Sequence, residues 1–141
     1  MVRKKRKRVE DEGHDVWDIW VLTFDHLPKL YDLGRAGDGR AMKVHDLALQ
    51  GFVHVLRKST QPKPALCLLC DHAFAAPNPP AAVVVLVGHV DSPKGGVCSG
   101  LCDRCFGVAG DELMRRIVAY YRDTFMGDVR IIRPINTPGY A

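Results

Sequence analysis

The chain has no long hydrophobic run. Its longest, Ala81 to Val87, is far shorter than the ~20 apolar residues needed to cross a bilayer, so no membrane span is expected. No apolar leader core follows the basic N-terminus, because Asp15, Asp18 and Asp25 break up the stretch around Val16 to Phe24. An intracellular, reducing setting is the expectation, either cytoplasmic or, for a eukaryotic or viral chain, nuclear. No glycine-rich phosphate loop, nucleotide fingerprint or Ser-His-Asp order stands out, and Asp111-Glu112 reads as helix-start charge rather than an acid/base pair. An enzyme is therefore not indicated. Broad charge of one sign is also missing: residues 11 to 141 carry 14 basic and 15 acidic side chains. The body alone offers no wide electrostatic footprint for DNA or RNA.

Cysteine, by contrast, is abundant and patterned. Of the five, four form two pairs, Cys67-Leu-Leu-Cys70 and Cys102-Asp-Arg-Cys105. A C-x2-C turn presents two sulfurs to one ion without long loop closure, so each pair reads as half of a tetrahedral Zn²⁺ site. Thirty-one residues separate Cys70 from Cys102, longer than a short ribbon interval, and the halves must meet in space. Cys98, separated from Cys102 by Ser99, Gly100 and Leu101, is the first reserve ligand. His72 and His89 are further alternatives, since neutral imidazole also binds zinc. A bridged framework with one thiol left over suits a secreted chain, and thioredoxin-like redox chemistry suits a single C-x2-C. Two such pairs in a reducing compartment favour shared metal over both.

The second concentration is positive charge. Residues 1 to 10 hold six basic side chains and one acid, a net +5. The run Arg3, Lys4, Lys5, Arg6, Lys7 and Arg8 cannot bury itself and is expected to be solvated and disordered. Such a run can neutralise phosphates of DNA or RNA through counterion release, serve as a nuclear address, or simply solubilise the chain.

Along the body, Trp17, Trp20, Val21 and Phe24 fall at helical spacing over Val16 to Leu27, although the aromatic and branched content equally allows a strand. These aromatics read as core. Pro28, Gly34, Gly37 and Gly39 mark the stretch from Asp32 to Arg40 as an exposed connection. From Ala41 to Arg57 two apolar stripes, Val44-Leu47-Ala48-Phe52-Val55 and Leu49-Val53-Leu56, suggest a helix buried on two sides. His45 and His54, nine residues apart on it, cannot share a metal and read as surface. Ala82 to Val87 reads as a buried central strand ending in the loop of Pro93, Gly95 and Gly96. Asp111 can cap a helix burying Leu113, Met114, Ile117, Val118, Tyr121 and Phe125, with Gly127 at its end. Val129 to Ile132 is a second strand candidate that Pro134 terminates.

This order, a cysteine turn, a strand region, then a cysteine pair leading to a helix, resembles the treble-clef class of zinc-binding domains, with the likeness covering about residues 65 to 125. In that class the first pair sits on a knuckle and the second at a helix start, which implies Cys67, Cys70, Cys102 and Cys105 as ligands. The expected architecture is α+β: a small zinc-stabilised, treble-clef-like domain with added N-terminal helices. It divides into a disordered basic tail (1–13), an N-terminal helical segment (14–64), a zinc-binding α+β region (65–133) and an irregular tail (134–141). Treble clefs serve many functions, so the class does not fix activity.

Within it, the stretch from His89 to Gly96 followed by Leu101-Cys102-Asp-Arg-Cys105 resembles the HNH endonuclease segment, in which a histidine activates water. That family carries metal-binding or orienting residues where this chain has Gly88, Gly100 and Phe106. Only His89 remains of that machinery, and none of the three replacements can ligate an ion. The leading expectation is an intracellular structural-zinc protein that binds a partner, nucleic acid through residues 3 to 8. An HNH-like nuclease using His89 and a protein-interaction adaptor are the alternatives.

Overall fold

The structure, a computed structural model, describes residues 16–75, 79–88, 96–108, 110–125 and 131–135. Four strands, β1 (Val16–Leu22), β2 (Ala82–Gly88), β3 (Gly96–Leu101) and β4 (Ile131–Ile135), form one sheet in the order β3-β2-β1-β4. β1 and β3 both pair antiparallel with β2, and β4 runs parallel to β1. Among the described residues four α-helices complete it, α1 (Leu27–Arg35), α2 (Gly39–Lys58), the short α3 (Asp103–Phe106) and α4 (Gly110–Tyr120), with a 3-10 turn at Phe24–His26 leading into α1. The class is α+β, and among the described residues no helix is long and apolar enough to cross a membrane.

The sheet is covered on both faces, which explains why β2 is buried along its whole length. Its odd residues Val83, Val85 and Val87 face a core shared with α1 and α2 that includes Trp20, Leu22, Leu30, Val44 and Phe52. Its even residues Ala82, Val84 and Leu86 face a second core built with Cys67, Leu68, Phe74, Cys105, Leu113, Ile117 and Tyr121. The cysteine region and α4 therefore lie on the face opposite to α1 and α2.

Residues 16–22 form a strand where helical spacing was one of two readings. The two-residue alternation of a strand sends Trp17 to one core and Trp20 to the other. Asp18, on the α2 side and 1% exposed, pairs with the Arg40 guanidinium. That ion pair makes an acidic residue compatible with a buried strand.

The expected connection from Asp32 to Arg40 shrinks to Ala36, Gly37 and Asp38. α1 carries Pro28 in its first turn, where a missing N–H costs nothing. Gly37 has φ 117°, a turn that glycine adopts without strain, and the Asp38 carboxylate then accepts the Ala41 N–H at 3.0 Å to cap α2.

α2 matches the expected helix in extent but not in its burial on two sides. Val44, Ala48, Phe52 and Val55 are buried, whereas Leu49, Val53 and Leu56 are exposed, because sheet and α1 cover one flank only. His54 is exposed as expected, while His45 is half-buried against the Tyr31 ring, 5.4 Å between centroids.

Two further strands differ from expectation. β3 carries two glycines and no alternation, so its sequence gave little signal. β4 runs through Pro134 instead of ending at it. As the sheet edge it bonds on one side only, which tolerates a residue without an N–H. The helix after the second cysteine pair is α4, continued by a π-helical turn over Tyr121–Phe125. Leu113, Ile117 and Tyr121 are buried in it. The basic run Arg3 to Arg8, His89, the loop with Pro93 and Gly95, Gly127 and the C-terminal tail beyond Ile135 lie outside the described residues.

Candidate metal centre

The first cysteine pair sits on a tight knuckle between Leu66 and Ala73, which face each other across an isolated antiparallel bridge. Within it the Cys67 N–H donates to the His72 carbonyl at 2.8 Å, and the Asp71 N–H to the Cys67 carbonyl at 3.1 Å. Closing so short a loop needs one residue in the left-handed region, and Asp71 supplies it with φ 61°. Aspartate is among the few side chains that tolerate this conformation.

One hydrogen bond fixes the knuckle to the sheet. The Leu68 N–H donates to the Gly100 carbonyl of β3 at 2.9 Å. Phe74, 2% exposed, packs over the same strand, and a Cβ on Gly100 would stand 3.0 Å from its ring. A side chain at that position would have to push the Phe74 ring by a few tenths of an ångström.

The second pair enters at the end of β3. Cys102 is the N-cap residue of α3, with φ −79° and ψ 167°, and Cys105 lies within that helix. The Phe106 N–H donates to the Cys102 carbonyl at 2.9 Å. This turn carries Cys102 beside the knuckle, where its own N–H points at the Cys67 sulfur at 3.4 Å.

All four sulfurs lie within 4.8 Å of one another, with Cys70 and Cys102 3.6 Å apart. A tetrahedral ion with metal–sulfur bonds of about 2.3 Å sets its ligands ~3.8 Å apart, so this spacing fits one ion. It is far longer than the ~2.05 Å of a disulfide, and all five cysteines are free. The cluster can therefore hold a metal ion.

The proton balance among Cys70, Cys102 and Cys105 points the same way. Burial acts to raise Cys102, but the Cys105 backbone and the Cys70, Cys105 and Cys67 thiols outweigh it and hold it at about 7. Cys105 is pushed well above the thiol range, by burial first and then by its three thiol neighbours. At Cys70 the His72 backbone N–H pulls downward, yet burial and the Cys102 and Cys67 thiols leave it raised. Cys102 gains its charge at the expense of Cys70 and Cys105, an imbalance that a central divalent cation removes by stabilising their thiolates together.

Cys98 is excluded from this cluster by topology. It lies on β3 within the core of the opposite face, against α2, where burial pushes its thiol up to about 12. His72 contributes its carbonyl to the knuckle, while its exposed ring meets Phe74 edge-on at 6.4 Å. Beside the cluster opens a cleft of about 310 Å³ lined by His72, Phe74, Pro79, Cys102, Asp103 and Arg104.

Sequence reasoning picked out the four sulfurs but not what positions them. Asp71 and Phe74 carry no mark there, and Gly100 enters only as a position unable to bind an ion. The Asp directly after Cys70 was the one local signal, since aspartate is enriched at left-handed turn positions. The three positions where the endonuclease pattern carries ligands fall on the end of β2 (Gly88), on β3 (Gly100) and on α3 (Phe106). Compared with protein-family models, curated proteins and solved structures, the chain matches none.

Proposed function

We propose that this chain is a structural-zinc binding module in which one Zn²⁺ held by Cys67, Cys70, Cys102 and Cys105 locks the knuckle to the start of α3. The observation that carries this reading is the set of four sulfurs within 4.8 Å. Four thiolates with no open position are the ligand set of structural rather than catalytic zinc. The order of a knuckle, the antiparallel β2–β3 hairpin and a helix opening on the second pair supports a treble-clef arrangement. Here the metal would supply rigidity, and the chain supplies polar contacts around it, among them the Cys102 N–H on the Cys67 sulfur, the Cys67 N–H closing the knuckle and the Leu68 N–H tying it to β3.

The partner in this reading is nucleic acid, contacted by Arg3, Lys4, Lys5, Arg6, Lys7 and Arg8. Six adjacent cations on a nearly neutral body are its support. Phosphate contacts of this kind hold a partner without reading its sequence. Fluorescence anisotropy with a labelled oligonucleotide across a salt series tests it. Full engagement of six charges gives a slope of about −4 to −5 in log K against log salt. Replacing the six residues by Ser should remove that binding; retained binding with the same slope would assign the contact elsewhere and defeat the proposal.

A further inference from the structure

We infer that the outer flank of α2 is a self-association surface, on which a second copy of the chain lays its own α2 antiparallel to the first. Leu49, Val53 and Leu56 form a stripe there, 38%, 40% and 52% exposed, with Phe24 at 59%. The Phe24 ring stands edge-on to Phe52 at 5.4 Å, which places it against this half of α2. At 100° per residue the stripe is turned nearly a third of a circle, about 110°, from the buried row Val44, Ala48, Phe52 and Val55, so the sheet cannot cover it. Its four-then-three spacing is that of a seam between two helices. An apolar stripe on a polar surface marks an interaction site.

The flanking charges select the occupant. Asp46 and Arg57, both exposed, lie on the same outer border of the stripe, eleven residues apart, with one Asp46 carboxylate oxygen already 2.9 Å from the His45 Nδ1. The midpoint between them falls within about one residue of the midpoint between Leu49 and Leu56, a difference of ~1.5 Å along the axis. A twofold axis through this point sets Leu49 on the second copy's Leu56, and Val53 close to its equivalent. It also sets Asp46 near the second copy's Arg57, because residues on matching borders face each other in antiparallel pairs. Parallel pairing has no such match. A twofold interface must be self-complementary, and this flank is so in both shape and charge. The patch is small, which suits a reversible dimer rather than an obligate one.

Sedimentation velocity on the metal-loaded full chain over a wide concentration range tests the inference. A concentration-dependent monomer–dimer equilibrium is expected. Val53→Lys should abolish it with circular dichroism and metal content unchanged. Asp46→Arg alone should weaken dimerisation roughly fivefold, and Asp46→Arg combined with Arg57→Asp should restore it. A protein that stays monomeric throughout overturns the inference, as does a dimer that survives Val53→Lys. Failure of the double reversal to restore pairing overturns the antiparallel arrangement. None of these readings depends on nucleic-acid binding, so they stand or fall apart from the proposed partner.

Discussion

A Cβ atom placed on Gly51 would lie 2.1 Å from the sulfur of Cys98. Helix α2 therefore approaches β3 more closely than any side chain at Gly51 allows, and the Cys98 thiol fills the gap. This contact accounts for the fifth cysteine: it is a small apolar packing group on the face of the sheet away from the metal cluster.

Gly51→Ala should accordingly destabilise the protein by about 1–3 kcal/mol through overpacking, even though alanine favours a helix by ~1 kcal/mol over glycine. In a Cys98→Ala background the same change should cost clearly less. Denaturant unfolding of the four proteins in a double-mutant cycle measures the coupling; additive losses would contradict the contact.

Alkaline pH should weaken the fold. Burial pushes Cys98 up to about 12, and burial likewise pushes Tyr121 up to about 12 against a partial offset from its hydrogen bond with Ser99. Both groups keep their protons in the folded state at a pH where the unfolded chain has lost them. Their contribution is whole below the unfolded values of about 8.5 and 10, and is lost as pH rises toward 12. Stability measured by urea unfolding should fall between pH 9 and 11, and Cys98→Ala should flatten the early part of the decline.

The Asp18–Arg40 pair should anchor α2 to the sheet. Arg40→Met leaves the Asp18 carboxylate, 1% exposed, without that cation. A loss of about 2–4 kcal/mol is expected, below the full buried-pair figure because the guanidinium is a quarter exposed. Asp18→Asn should cost less, since the amide needs no counter-charge. Equal stability of wild type and Arg40→Met in thermal unfolding would rule out this anchoring role.

At the knuckle, Asp71 holds φ 61°. Asp71→Gly should be neutral or stabilising, whereas Asp71→Val should cost about 1–3 kcal/mol and weaken metal retention under a competing chelator. The reverse ranking would mean that the carboxylate, not the backbone conformation, is what the knuckle needs.

What could be read in the sequence was the chemistry with a fixed spacing. Two C-x2-C turns declare themselves locally, and the apolar run of β2 and the 3.6-residue period of α2 are strong enough to stand alone. The rest depends on tertiary partners. β1 looked helical because Trp17 and Trp20 are three residues apart, and only cores on both faces of the sheet give each ring its own site. Asp18 argued against burial until α2 delivered Arg40. β3, with Gly96 and Gly100, carries no periodicity, since its sequence is shaped by what crosses it: Leu47 against Gly96, and Phe74 against Gly100. The second stripe of α2 implied burial that one copy of the chain does not provide.

Elemental analysis of protein purified without added metal, paired with thiol titration before and after chelation, decides whether the four-cysteine cluster holds an ion. About one zinc per chain is expected, with four thiols becoming reactive on chelation and Cys98 reacting only on unfolding. Protein that is fully folded without metal, with all four cluster thiols already reactive, would contradict the account.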